Sequence, residues 1–205
     1  MPVIPLFPHV VHGIDIEDFD TFQQSIIDFV YDEQKKDPTG MQLSNQGGWH
    51  SRNDYHTFDN PIRDMLPVVL AKHFKESGIY VDTIDPQLIG LWSNINKGGD
   101  YNKAHIHPDS NISGVIWIKY PKNSGLLSFV NPHQYSQFTE LSSYTQEFRD
   151  EFMAHDSFNI IIEEGRMVLF PSSLYHCVDM NESDEERISI SFNINLTTKE
   201  GYLTS

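Results

Sequence analysis

The sequence predicts a mainly β protein, a β-sandwich or double-stranded β-helix with helices packed outside it. Two observations predict this architecture: apolar residues recur every three or four positions before residue 80, and they alternate with polar residues between Gln87 and Leu196. A third observation is that turns rich in Gly, Pro, Asn and Asp separate the alternating segments. Helices followed by short antiparallel strands are typical of this class. We expect a single domain over residues 1–205, with a helical part at 1–80 and a β core at about 87–196.

Two helices are predicted in the N-terminal part. Apolar residues at helical spacing indicate the first helix, and they are Phe19, Phe22, Ile26, Ile27, Phe29 and Val30. Pro38 and Gly40 are expected to end this segment. The second helix is expected to begin at about Pro61, because proline suits the first helical turn, and to end at about Ser77.

Alternation of apolar and polar residues predicts strands at 88–96, 113–120, 126–130, 158–162, 167–170 and 187–196. The last strand is the most regular. One of its faces is isoleucine, phenylalanine and leucine, and the other begins with Arg187 and continues with Ser189, Ser191, Asn193 and Asn195. A solvent-facing strand usually carries Lys and Glu, so we expect this Ser- and Asn-rich face to line an interior space.

Charge and composition disfavour several classes of function. The 14 Lys and Arg residues against 29 Asp and Glu give a formal net charge of −15, and such a chain is repelled by phosphate backbones, so we expect no bulk nucleic-acid partner. No apolar stretch approaches the roughly 20 residues of a membrane-spanning helix, and no secretory signal is recognisable, so we expect no membrane association. The single cysteine, Cys177, makes no internal disulfide, which favours a reducing, cytoplasmic location.

Histidines form the first candidate site. In an extended chain residues i, i+2 and i+4 share a face, so His105 and His107 point together, and Asp109 joins them if the strand continues. Two imidazoles on one face can bind a metal ion. His176 follows an apolar strand 69 residues after His107. Taken singly, each of these histidines is better explained as an ordinary surface or core residue.

Arg187 and Ser189 form the second candidate site, because residues i and i+2 of a strand share a face. The guanidinium offers a planar fork of donors to a carboxylate, and the serine adds a hydroxyl. The alternative is that Arg187 simply pairs with the acidic residues Asp184, Glu185 and Glu186 just before it.

The order and spacing of these motifs resemble the 2-oxoglutarate- and iron(II)-dependent oxygenase superfamily, and within it a small bacterial and phage subgroup. The resemblance covers about residues 87–196. It is carried by segment 91–102 leading into His105-Ile106-His107-Pro108, then by Ser113-Gly114-Val115, Phe170-Pro171-Ser172-Ser173 with His176, and the segment from Arg187 to Asn193.

The resemblance implies a double-stranded β-helix, the jelly roll also found in cupins, that holds one Fe(II). It implies 2-oxoglutarate as cosubstrate, with its far carboxylate bound by Arg187 and Ser189, and O2 as oxidant. The implied reaction is hydroxylation of an unactivated C–H bond with release of succinate and CO2. The partner would be a small-molecule or peptidyl substrate of unknown identity.

The identity of the three metal ligands stays open between two sets. One set is His107, Asp109 and His176, and the other is His105, His107 and His176. Pro108 favours the second set, because a turn with proline at its second position rotates Asp109 off the strand face. The Asp109 carboxylate would then not bind the metal itself and could accept an N–H from an imidazole ligand. The need to neutralise Fe(II) favours the first set.

Further predictions concern the cavity wall and competing functions. Residues expected to line the cavity are Trp92, Asn94, Tyr101, Ser113, Trp117 and Asn193. Segment 134–156 is expected to form an acidic helical insertion, a candidate lid or homodimer surface. The competing functions are a cupin-like metal-binding isomerase or binding protein and a three-histidine thiol dioxygenase, and neither would need Arg187 to hold a dicarboxylate. A non-catalytic interaction protein is a third possibility.

Overall fold

The structure is a computed structural model that describes residues 9–77, 79, 82–132 and 143–200. The helices are α1 (Asp20–Lys36), α2 (Pro61–Glu76) and α3 (Gln146–Glu151). The strands are β1 (His12–Asp15), β2 (Asn45–Gln46), β3 (Trp49–His50), β4 (Ile84–Asn96), β5 (Tyr101–His105), β6 (Ile112–Lys119), β7 (Leu127–Val130), β8 (Ser157–Ile160), β9 (Arg166–Pro171), β10 (His176–Val178) and β11 (Arg187–Thr198). None of the described helices is long and apolar enough to cross a membrane.

Two antiparallel sheets form a double-stranded β-helix, as the sequence predicts. The larger sheet has the strand order β1-β9-β6-β11-β4-β3, and the smaller has the order β2-β5-β10-β7-β8. The central strand β11 pairs with β4 on one side and β6 on the other. Buried apolar side chains from both sheets, among them Trp117 and Phe129, form the core between them.

Helices α1 and α2 cover the outer face of the larger sheet. Ile26 and Val30 of α1 are fully buried in one cluster with Ile190 and Phe192 of β11, which is the apolar face that the alternation predicts. The Asn60 side chain caps α2 by accepting hydrogen bonds from the backbone N–H groups of two residues in its first turn. The helices therefore shield one face of the sheet and leave the polar face of β11 to the interior.

Close packing of the larger sheet requires a glycine in β6. A β-carbon on Gly114 would clash with the ring of Phe192 and lie 2.8 Å from Cδ2 of Leu169. These neighbours belong to β11 and β9, which flank β6 on both sides. The absence of a side chain lets the Phe192 ring lie against the backbone of the adjacent strand.

Short strands are where the structure goes beyond the sequence prediction. The part before residue 80 contains not only helices but also β1, β2 and β3, and β5 and β10 are further strands that alternation did not indicate. Each has two to five residues, and none of them carries a clear alternation of apolar and polar residues. Helix α3 lies in the predicted insertion 134–156, whereas residues 133–142 lie outside the described residues.

Candidate metal centre

Three histidines converge on the interior between the sheets. His105 ends β5 and lies directly opposite His176, which begins β10, while His107 follows β5 after one intervening residue. The backbone N–H of His107 donates to the carbonyl of Ser172 at 2.9 Å, which ties this histidine to the chain just before β10. One ring nitrogen from each histidine lies within 4.8 Å of the others. Such a cluster can hold one metal ion on three imidazoles.

Backbone carbonyls fix the tautomer of two of these histidines. Nδ1 of His105 lies 2.7 Å from the carbonyl of Lys103, and Nδ1 of His176 lies 2.9 Å from the carbonyl of Leu174. A carbonyl can only accept, so in each ring Nδ1 carries the proton. In the neutral imidazole Nε2 then has a free lone pair, and the donor set fits a divalent metal ion.

Burial keeps the cluster neutral. It lowers the pKa of His107 to about 3 and that of His176 to about 4, with the positive charge of neighbouring histidines as the second cause. The pKa of His105 is also lowered, again chiefly by burial. Only an unprotonated imidazole can bind a metal, so burial makes the cluster competent at neutral pH.

Asp109 stands apart from the cluster. The chain turns at Pro108 and Asp109, and the backbone N–H of Ser110 lies 3.4 Å from the carbonyl of His107, as expected for a turn with proline at its second position. The Asp109 side chain is exposed, and among the described residues the cluster consists of the three histidines. Asp109 is therefore not part of the cluster that the three histidines form.

Arg187 lies at the other end of the same cavity. It begins β11 and is 1% exposed. Its Nη1 donates to the carbonyls of Ser124 and Asp179, whereas Nη2 is buried and has no hydrogen-bond partner among the described residues. Burial lowers the pKa of Arg187 to about 10, so the guanidinium stays charged at neutral pH. A buried cation with an unused donor is suited to an anionic ligand.

Aromatic and small polar side chains form the wall between the histidines and Arg187. The predicted lining residues Trp92, Asn94 and Trp117 lie on this wall, together with Ser189 and Ser191 of the polar face of β11. The polar face of this strand therefore points inward, as its composition predicts. The amide oxygen of Asn94 is buried and has no partner within the described part of the chain, so it is available to a ligand.

Tyr101 does not line the cavity, contrary to the prediction. Residues 105 and 102 of β5 oppose residues 176 and 178 of β10, so β5 carries one extra residue in a β-bulge. The bulge shifts the alternation, because a one-residue slip turns each side chain to the other face. Asn102 consequently lines the cavity with His105, and Tyr101 does not.

Ser113 and Asn193 are also placed differently from the prediction. They are not among the residues that line the cavity but contact each other, and Asn193 contacts the ring of His107. Their side chains thus lie behind a histidine of the cluster.

His50 lies near the site although the sequence did not place it among the metal ligands or the residues of the cavity wall. It is 3% exposed, lies opposite Asn94 in the β3–β4 pair and stacks on Trp92 with ring centres 5.7 Å apart. Trp92 in turn lies 5.7 Å from the ring of His107. The signal in the sequence was weak, because β3 has only two residues after a glycine pair.

Comparison with known proteins gives one sequence family. The profile of a family described as "Putative 2OG-Fe(II) oxygenase", where 2OG is 2-oxoglutarate, matches residues 90–193, just over half of this chain. No curated protein sequence matches the chain.

Solved structures share the fold at low sequence identity. A prolyl-4-hydroxylase from Pseudomonas putida has a TM-score of 0.61 and 12% identity, over 91% of this chain and 92% of that one. A prolyl hydroxylase from Trichoplax adhaerens, in complex with a peptide fragment of hypoxia inducible factor, has a TM-score of 0.61 and 14% identity, over 90% and 83%. The α-ketoglutarate-dependent epimerase SnoN of nogalamycin biosynthesis has a TM-score of 0.61 and 11% identity, over 90% and 76%.

Proposed function

The chain belongs to this 2OG-Fe(II) oxygenase family, and from that premise we propose that it hydroxylates an unactivated C–H bond of its substrate. As a member of the family it is a non-haem iron dioxygenase that uses Fe(II) and 2-oxoglutarate. In the proposed reaction R–H, 2-oxoglutarate and O2 give R–OH, succinate and CO2.

One observation carries the proposal: the histidine cluster and the unpaired Nη2 of Arg187 face the same cavity. We assign His105, His107 and His176 as the ligands of Fe(II). Three imidazoles on one side of an ion leave its other positions free for a cosubstrate and O2. Asp109, which is exposed, is not assigned as a ligand.

Arg187 and Ser189 are assigned to the far carboxylate of 2-oxoglutarate. The carbonyls of Ser124 and Asp179 hold Nη1 in place, so Nη2 is oriented before the ligand arrives. A charge-assisted hydrogen bond to a buried guanidinium is stronger than one in water. Ser189, two residues along the same face of β11, adds a hydroxyl.

Bound Fe(II) supplies the oxidative decarboxylation of 2-oxoglutarate and the oxidation of the substrate. The residues of the chain bind, orient and shield. Trp92, whose ring centre lies 5.7 Å from that of His107, restricts water beside the metal ligands. Asn94 offers an unpaired amide oxygen to an N–H or O–H group.

The related structures support hydroxylation, but they also include an enzyme that catalyses a different reaction. Two of the three are prolyl hydroxylases, and one of these holds a peptide, which is compatible with a peptidyl substrate here. SnoN is an epimerase, so the same fold also serves a reaction without net hydroxylation. Incubation with 18O2 and candidate substrates separates the two: we expect a product heavier by one 18O atom, and a product of unchanged mass would overturn the hydroxylase proposal.

Anaerobic titration tests the cosubstrate. Metal-stripped protein receives Fe(II) with and without 2-oxoglutarate, and the visible charge-transfer absorption of the chelate is followed. We expect a band that needs both components, is lost in Arg187→Ala and persists in the matched surface variant Arg166→Ala. Iron binding without this band would instead support the cupin-like or thiol-dioxygenase alternative.

The acidic segment 134–156 remains a candidate homodimer surface. Light scattering on the full chain tests it, with a mass of twice 23.7 kDa as the expected result for a dimer.

A further inference from the structure

His107 differs from the other two histidines in what its Nδ1 contacts. His105 and His176 donate from Nδ1 to backbone carbonyls. Nδ1 of His107 instead lies 3.4 Å from the amide nitrogen Nδ2 of Asn193. Because Nδ1 faces Asn193, Nε2 is the nitrogen left for a metal ion, and the tautomer of this ring depends on a side chain that can either donate or accept.

A row of hydroxyl groups holds the Asn193 side chain from its other end. Oγ of Ser113 lies 2.8 Å from the amide oxygen of Asn193 and 2.8 Å from Oγ of Ser172. Ser110 donates to Oγ of Ser172 at 2.8 Å. Ser113 and Ser172 are almost completely buried, at 1% and 0% exposure. Because these hydroxyls are buried, their hydrogen bonds fix the position of the amide.

The direction of the hydrogen bonds along this row decides whether His107 can bind a metal through Nε2. With the amide nitrogen toward the ring, Nδ1 must accept, and the proton of the neutral imidazole sits on Nε2, where it blocks a metal ion. Rotation of the carboxamide by 180° exchanges its oxygen and nitrogen without moving another residue. Nδ1 then donates to the amide oxygen, and Nε2 is left with its lone pair.

The hydroxyl row tolerates this reversal. Ser113 can accept from the amide nitrogen and donate to Ser172, since either hydroxyl of that pair can be the donor. The rotated amide therefore satisfies both of its ends. This places Asn193 in the same relation to His107 that a backbone carbonyl has to each of the other two histidines.

We propose that Asn193 is a positioning residue of the metal centre: its carboxamide oxygen accepts the Nδ1 proton of His107, and Ser113 holds the amide in that orientation. The inference rests on the proposed role of His107 as a ligand. A metal ion at the three histidines selects the tautomer with the proton on Nδ1, and with it the accepting orientation of Asn193.

Substitutions at residue 193 separate an accepting role from a donating or merely space-filling one. Aspartate matches asparagine in shape but only accepts, and leucine does neither. We expect Asn193→Asp to bind Co(II) as tightly as the parent protein or more tightly, and Asn193→Leu to bind it about 10–100-fold more weakly, as for other outer partners of metal ligands. Equal weakening in both variants would overturn the proposal. Asn195→Leu, two residues along β11, is the matched control.

A spectroscopic measurement on the unmodified chain keeps the test independent of variant folding. In Zn(II)-loaded protein, 15N NMR of the histidine rings is expected to find the proton of His107 on Nδ1. A His107 ring whose Nδ1 bears no proton in the loaded protein would contradict the proposal. If His107→Ala retains Co(II) with the parent affinity, the ligand assignment itself fails, and this outcome differs from a failure at residue 193 alone.

Discussion

Gly125 lies directly against the guanidinium of Arg187: a β-carbon on this glycine would stand 2.7 Å from Nη1. It would also clash with the carbonyl of Asp179, which accepts a hydrogen bond from the same Nη1. The backbone of Gly125 has a φ of +92°, a conformation that residues with a side chain rarely adopt. The turn before β7 thus uses a glycine to let the chain close over the buried arginine.

Gly125→Ala is therefore expected to impair cosubstrate binding. A methyl group displaces the guanidinium, and misplacement by about 1 Å can cost up to about 100-fold in rate. We expect the KM for 2-oxoglutarate to rise on the order of tenfold while Co(II) affinity is unchanged. Gly99→Ala is the control, because Gly99 has a similar φ of +90° but no atom within 4 Å of where a β-carbon would lie. An equal rise in both variants would mean that backbone strain, not contact with Arg187, is responsible.

Alanine substitution of each histidine in the cluster tests the ligand set. Removal of one ligand of three is expected to weaken Mn(II) or Fe(II) binding by more than about 100-fold, beyond the cost of losing an outer partner. Asp109→Ala is expected to change the affinity by less than about threefold, since this exposed carboxylate lies outside the cluster. Isothermal titration of metal-stripped variants measures both. Retained binding in His105→Ala with loss in Asp109→Ala would reverse the assignment.

Close packing at Gly114 predicts that a larger residue here destabilises the fold while the three histidines of the cluster stay unchanged. Gly114→Ala forces a methyl group against Phe192 and Leu169, and overpacking of this kind typically costs about 1–3 kcal/mol. Gly90→Ala is the matched change in β4, on the far side of β11 in the same sheet, where the nearest atom to the new carbon is an ordinary 3.5 Å away. In urea unfolding we expect a lower free energy of unfolding for Gly114→Ala and an unchanged one for Gly90→Ala. Similar unfolding midpoints for both would contradict the packing argument.

The burial of His50 leads us to expect that the stability of the protein depends on pH. Burial lowers its pKa below the ordinary value of 6.5, so below that pH the unfolded chain binds a proton that the folded chain resists. Protonation then favours unfolding, and the free energy of unfolding of the metal-free protein falls as the pH is lowered from about 6.5. His50→Gln, which keeps a donor for the Ser51 carbonyl, is expected to reduce the slope of this dependence in urea unfolding between pH 7.5 and 5. The remaining slope comes from the three histidines of the cluster, whose pKa values are also lowered by burial. An unchanged slope would refute the role of His50.

The sequence carried most of the fold because much of it is local. Alternation over Arg187–Leu196 identified the central strand and the correct inward face, and helical spacing identified α1 and α2. Five short strands, β1, β2, β3, β5 and β10, were not predicted, since their stability comes from neighbours distant in the chain and not from their own pattern.

The candidate site divides in the same way. The order and spacing of the motifs, together with the family resemblance, indicated the histidines and Arg187. The turn at Pro108 followed from the geometry of proline, which is a local property. The prediction that Tyr101 lines the cavity was wrong, because a bulge in β5 opposite β10 shifts the alternation of side chains. No local pattern in the sequence marks this bulge.

By itself the sequence determined which chemical groups the chain possesses and which face of each long strand they share. Only the tertiary structure decided that His176, 69 residues beyond His107, meets the other two histidines, that Nη2 of Arg187 is left unpaired beside them, and that Asn193 stands behind His107. The physical reason is that contacts between strands are set by register, burial and the satisfaction of polar groups across the whole sheet, and none of these is a property of a single segment.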